Sequence, residues 1–153
     1  MAHKLTADDA REALSGHVRE RAELARRRYG PRIDMAALER ILDDREIVRY
    51  PVALRFDAEP LEPGEFAFAA QRGTHPSEGF DLFVHPHFRE RVDVLPLLVA
   101  YHLVCVNYGD IVTHEQAECF GATLLGIDVD EYYERLCALA DEIAPADPSA
   151  PES

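Results

Sequence analysis

The thirteen residues Val94 to Val106, reading VLPLLVAYHLVCV, form an apolar stretch in which His102 is the one strongly polar side chain. A segment apolar on every side has to be surrounded, so it predicts a buried central helix, with Pro96 tolerated in the first turn. It is too short to cross a bilayer as a helix, which takes about 20 residues. The remaining elements must therefore be arranged around it. Burying an imidazole there without a partner costs on the order of 1 to 3 kcal/mol. Two readings of His102 follow: a core histidine satisfied by a carbonyl or carboxylate, or the wall of an internal site.

The chain has 153 residues, 47% hydrophobic and 29% charged. That is enough for one domain with a real core, and it excludes a disordered or collagen-like chain. A formal charge of -13 argues against nucleic acid and against an anionic membrane as partners. The charge is unevenly distributed. Residues 1–50 hold eleven basic and ten acidic side chains, and residues 51–153 hold five and nineteen. An Arg-rich first segment is thus expected to dock on an acidic domain, its own or a neighbour's. Cys105, Cys119 and Cys137 are odd in number and widely spaced, which speaks against a disulfide framework and for a reducing cytoplasm. The first residues lack the apolar region of a secretory signal, so none is expected.

Period and capping signals divide the chain into a long amphipathic helix over 1–30, a single α+β domain over 31–144 and a disordered tail over 145–153. Thr6 with Asp9 reads as a capping box, followed by Ala7, Ala10, Leu14, Val18, Ala22, Ala25 and Tyr29 at helical spacing. This stripe is thin and Ala-rich, so the helix is expected to lie across the domain or against a partner, as in a homodimer. Arg26-Arg27-Arg28 reads as a solvated last turn that complements the helix dipole, or as a patch for an anion or acidic partner. Asp34 caps a second helix. Beyond Tyr50-Pro51 the period falls to two. Three strands are predicted, with Val52, Leu54 and Phe56, then Phe66, Phe68 and Ala70, then Phe80, Leu82 and Val84 on their apolar faces. Pro63-Gly64 suits a type II turn and predicts that the first two strands pair as an antiparallel hairpin. After the central helix, Thr113 with Gln116 and Asp128 with Glu131 each begin a further helix. The expected fold is α+β: two helices, a three-stranded mostly antiparallel sheet, then three helices with the first of them buried.

Chemistry-bearing residues gather around the end of the third strand and the helices after it. His85, His87, His102 and His114 are imidazoles able to bind a transition metal such as zinc if they converge. His114 and Glu118 are four apart on one helical face, a spacing that allows either chelation or an ordinary helical contact. Glu118 shares its side of the helix with Ala117, Gly121 and Leu125, so it is expected to be drawn inward and to need a partner. On the central helix, Tyr101 and Cys105 flank His102 within contact distance. The ligand-binding candidates are thus Tyr101, His102, Cys105 and Glu118, and the metal candidates His85, His87, His102, His114 and Glu118. No Walker loop, dinucleotide fingerprint, Ser-His-Asp order or paired-Cys zinc spacing is present.

The order of elements, with Ala100-Tyr101-His102-Leu103-Val104-Cys105 on the central helix and Glu118-Cys119-Phe120-Gly121-Ala122-Thr123-Leu124-Leu125 on the next, resembles the small zinc metallopeptidases of the minigluzincin type, which include the phage-repressor-cleaving peptidases. Those carry Ala-His-Glu-x-x-His on the central helix and a Glu ligand on the following one. In the matching register Tyr101 and Cys105 stand where the two ligand histidines would be, and His102 stands at the catalytic glutamate. The His-Glu-x-x-His motif is absent, which implies a non-peptidase relative of this zincin-like fold. It would serve as a binding domain for a small molecule, a peptide or a metal. A non-catalytic interaction module that self-associates through the N-terminal helix is the alternative, and a hydrolase using His102 as base with Cys105 or a metal-bound water is a third.

Overall fold

In the computed structural model, residues 6–144 are described, and the tail expected over 145–153 lies outside them. The elements are α1 (Ala7–Tyr29), α2 (Met35–Leu42), β1 (Val52–Phe56), β2 (Ala67–Gln71), β3 (Phe80–Val84), α3 (Leu95–Tyr108), α4 (His114–Leu125) and α5 (Val129–Ile143). The α+β class is as expected, with α3 as the buried centre. Ten of the fourteen α3 residues are buried. Leu98 and Leu103 are wholly so, and each such side chain contributes about 1.5–3 kcal/mol relative to exposure. Among the described residues no helix is long and apolar enough to cross a membrane.

The strand pairing departs from the expected hairpin. The sheet order is β1-β3-β2, with β1 parallel to β3 and β2 antiparallel to it. The predicted turn does form: Glu65 N donates to Glu62 O at 3.0 Å, and Gly64 takes a φ of 83° that favours glycine. A second turn, Leu61 N to Ala58 O, precedes it. The connection is therefore a ten-residue loop between β1 and β2 rather than a tight hairpin, and it leaves room for β3 between them. Phe80, Leu82 and Val84 alternate as buried residues along β3, as the period of two requires.

The phase of β2 is also opposite to the expectation. Ala67 is 2% exposed while Phe68 is 43% exposed, and Ala69 packs against the core. The strand meets α3 through its alanines, whose small side chains allow close approach, and its aromatic residues are left for another use.

Helix α1 packs along α4, which also packs on α3. Val18, Ala22 and Ala25 of the Ala-rich stripe are wholly buried, so the stripe is covered within the chain from Val18 onward, while Ala7 and Ala10 at its start are exposed. Gln116, the third residue of the α4 capping box, is buried. Its Oε1 accepts from Thr113 N, while its Nε2 donates to Arg11 O and Ser15 Oγ of α1. The arginines that close α1 are not merely solvated. Arg26 donates to Leu124 O at the end of α4 at 3.4 Å and to Pro31 O at 3.3 Å, where positive charge meets the negative end of the α4 dipole. Arg28 pairs with Asp44 and Glu46 at 2.9 and 3.0 Å. At the other end of the core, buried Asn107 accepts from Arg49 N and donates to Ile47 O, tying α3 to the segment that leads into β1.

Helix α5 is locked to α4 and α3 by one contact. Tyr132, fully buried, donates its hydroxyl proton to Leu97 O at 2.6 Å. Its ring lies against Gly121, where an added Cβ would stand 2.2 Å from a ring carbon. In a free helix Gly→Ala stabilises by about 1 kcal/mol, but here the added methyl has no space and the neighbour is a pinned ring. Gly121→Ala is expected to destabilise the protein by about 1–3 kcal/mol, measured by urea unfolding; an unchanged or raised midpoint would show that the ring moves aside.

Candidate functional site

The residues of α3 that escape full burial are Tyr101, His102, Cys105 and Tyr108. The first three stand at i, i+1 and i+4, on one side of the helix. They face a pocket of about 470 Å³, closed on its other sides by β2 with the loop before it, by the start of α4 and by α5. Each wall has a local cause. Phe66, just before β2, packs over Tyr101 and His102, β2 borders the pocket with Ala67 and Ala69, the Thr113 cap starts α4 where His114 and Glu118 reach it, and α5 presents Tyr133, Leu136, Cys137 and Ala140.

Five of the residues singled out from the sequence are thus brought together: Tyr101, His102, Cys105, His114 and Glu118. His85 and His87 are not. Pro86 turns the chain into a short 3-10 turn, Pro86–Phe88, with His85 Nδ1 accepting from His87 N at 3.1 Å. His87 Nε2 lies 3.0 Å from Glu142 Oε1, which also accepts from Arg91. This pair staples the end of the sheet to α5.

The α3 groups that face the pocket are uncharged. Phe66 packs edge-on against His102, with ring centroids 5.7 Å apart. Burial pushes the His102 pKa down to about 4, so the ring is neutral at pH 7, and its Nε2 is buried without a hydrogen-bond partner. Such an atom forfeits a hydrogen bond on folding. Burial, then the charge of Glu118, pushes the Tyr101 phenol up to about 12. Its hydroxyl lies 2.6 Å from His114 Nδ1, in a hydrogen bond whose direction follows the imidazole tautomer. Burial and then Asp110 push the Cys105 thiol up as well, which leaves it a thiol rather than a nucleophilic thiolate. Burial, reinforced by Glu115 and opposed by His114, raises Glu118.

The zinc implied by the resemblance does not fit these residues. A structural or catalytic zinc takes at least three converging donors, with thiols deprotonated. His85 and His87 lie away from the pocket, on the turn after β3. Among the described residues no group of three or more His, Cys, Asp or Glu side chains is placed to hold a metal ion.

Several walls of the pocket were missed in the sequence. The α5 wall was legible, since Tyr133, Leu136, Cys137 and Ala140 stand at i, i+3, i+4 and i+7 and form a second stripe beside the buried Tyr132, Leu136 and Leu139. The β2 wall was not, because β2 is apolar on both faces.

The depressed His102 pKa has a thermodynamic consequence. The unfolded chain binds this proton below about pH 6.5 and the folded chain only below about 4, so stability is lost as pH falls through this window. The full difference corresponds to roughly 3 kcal/mol. The His102 ring signals are expected to stay unshifted from pH 8 to pH 5.5 in a proton NMR titration, and His102→Phe is expected to flatten the pH dependence of unfolding between 6.5 and 4. A midpoint near 6.5 would contradict the buried neutral ring. No family model, curated protein or solved structure matches the chain, so the pocket's own chemistry is the guide to its use.

Proposed function

We propose that this protein is a non-catalytic ligand-binding domain, a non-peptidase variant of a zincin-like arrangement, which takes a small organic molecule into the pocket between β2, α3, α4 and α5. The observation that carries this reading is a largely apolar pocket of about 470 Å³ on which Tyr101, His102, Cys105, His114 and Glu118 converge. That volume lies in the range of small-molecule sites, and a few polar groups among apolar walls are what such sites use for orientation. Neutral His102 and the protonated Tyr101 are uncharged polar groups in the pocket's α3 wall. Binding rather than turnover is supported by the state of the candidate reactive groups. Cys105 is held as a thiol, His102 is too weak a base near neutrality to be poised for proton transfer, and the zinc donor set is missing.

The test is a fragment screen followed by two-dimensional amide NMR. Bound fragments are expected to shift resonances of β2, α3 and α5 around the pocket, and Ala140→Phe, which fills the pocket from α5, is expected to abolish those shifts. This half-exposed position should change stability by no more than about 0.5 kcal/mol. Fragment shifts spread over the outer surface, or retained in Ala140→Phe, would sink the reading.

A further inference from the structure

The lining of the pocket is one-sided in charge. Glu65, Asp110 and Glu118 border it, and among the described residues no arginine or lysine does. The chain has sixteen basic residues, and those whose partners are described above are turned elsewhere: Arg26 and Arg28 onto α4 and the Asp44 segment, Arg91 onto Glu142. Glu118 is half-buried and forms neither a hydrogen bond nor an ion pair among the described residues; its electrostatic neighbours are Glu115 and His114. Burial of a carboxylate without a cation is costly, and its charge reaches both Tyr101 on α3 and Tyr133 on α5.

Aromatic rings occupy the same space. Phe66, Tyr101 and Tyr133 line the pocket, with Tyr133 54% exposed. Large aromatic residues left in the open around a concave apolar surface are binding groups more often than packing residues. An aromatic face attracts a cation through its quadrupole, and a ring of such faces beside a carboxylate is the arrangement that suits an ammonium group. A carboxylate ligand would meet repulsion from Glu65, Asp110 and Glu118, with no cationic side chain to offset it. A wholly neutral ligand would leave Glu118 without a counter-charge.

We infer that the ligand of this pocket is an organic ammonium compound, an amine carried on an apolar body, with the cation beside Glu118 among the rings of Tyr101 and Tyr133 and the apolar body against Phe66 and the α3 face. The inference rests on the ligand-binding reading above and adds the sign of the ligand's charge.

The experiment uses the full chain at pH 7 and low salt, with three probes that share one apolar body: 2-phenylethylamine, 2-phenylethanol and 3-phenylpropanoate. Each is titrated by amide NMR against the wild-type protein and Glu118→Gln, a substitution that keeps the size of the side chain. The amine is expected to bind wild type about tenfold more tightly than the alcohol, a difference of about 1.4 kcal/mol, with the carboxylate weakest. In Glu118→Gln the amine is expected to fall to within about twofold of the alcohol, while the alcohol is unaffected; about a tenfold loss is what one partly buried charge pair accounts for. If the alcohol or the carboxylate binds wild type as tightly as the amine, the ammonium inference is overturned and the ligand-binding reading survives. An amine preference that persists in Glu118→Gln removes Glu118 as its cause and overturns the placement of the cation. If none of the three shifts the pocket resonances, both readings fall together for ligands of this kind.

Discussion

The burial of α3 is the constraint on which the rest depends. A helix apolar on nearly all sides cannot rest on one neighbour, because each leucine left in water forfeits about 1.5–3 kcal/mol while ordering the backbone still costs about 1–2 kcal/mol per residue. The sheet, α4, α2 and α5 each cover part of it. The side on which Tyr101, His102 and Cys105 stand is the side where cover is incomplete, and the pocket is what remains there. The same three residues make that incompleteness tolerable, since their polar atoms lose less in a half-wet cavity than in a sealed core.

Electrostatics divides the molecule into two regions. Along α1, arginines meet acidic or carbonyl partners within the chain: Arg28 with Asp44 and Glu46, Arg26 with the last turn of α4. On the outer face of the sheet Asp81 accepts from Arg55 and Arg72, and those bonds hold its carboxyl below the ordinary range. The pocket receives none of this compensation. Its acidic groups face apolar and aromatic surface, and its titratable groups, His102, Tyr101, Cys105 and Glu118, all shift toward their uncharged forms because burial penalises charge. A site tuned in this way is suited to hold a molecule and is poorly suited to attack one.

Local rules of backbone and period were enough for the helix starts, because a capping box, a proline break or an all-round apolar run acts within one turn of chain. Thr6 with Asp9, Thr113 with Gln116 and the Val94–Val106 helix were all legible for that reason, as was the shared face of Tyr101, His102 and Cys105. Longer-range choices were not. In β2 both faces are apolar, so alternation leaves its phase open, and only the approach of α3 to Ala67 and Ala69 decides it, with Phe68 left on the outer face opposite Phe83. The turn at Pro63-Gly64 is local and forms, yet whether it joins paired strands depends on β3, which enters later and takes the place beside β1. The sequence by itself determined that one buried helix would carry a histidine in need of a partner. Only the tertiary structure decided that Nε2 would lack one, because satisfaction of a buried atom depends on which distant segments arrive beside it, and those here bring aromatic rings and carboxylates to the pocket and leave its cations to the ligand.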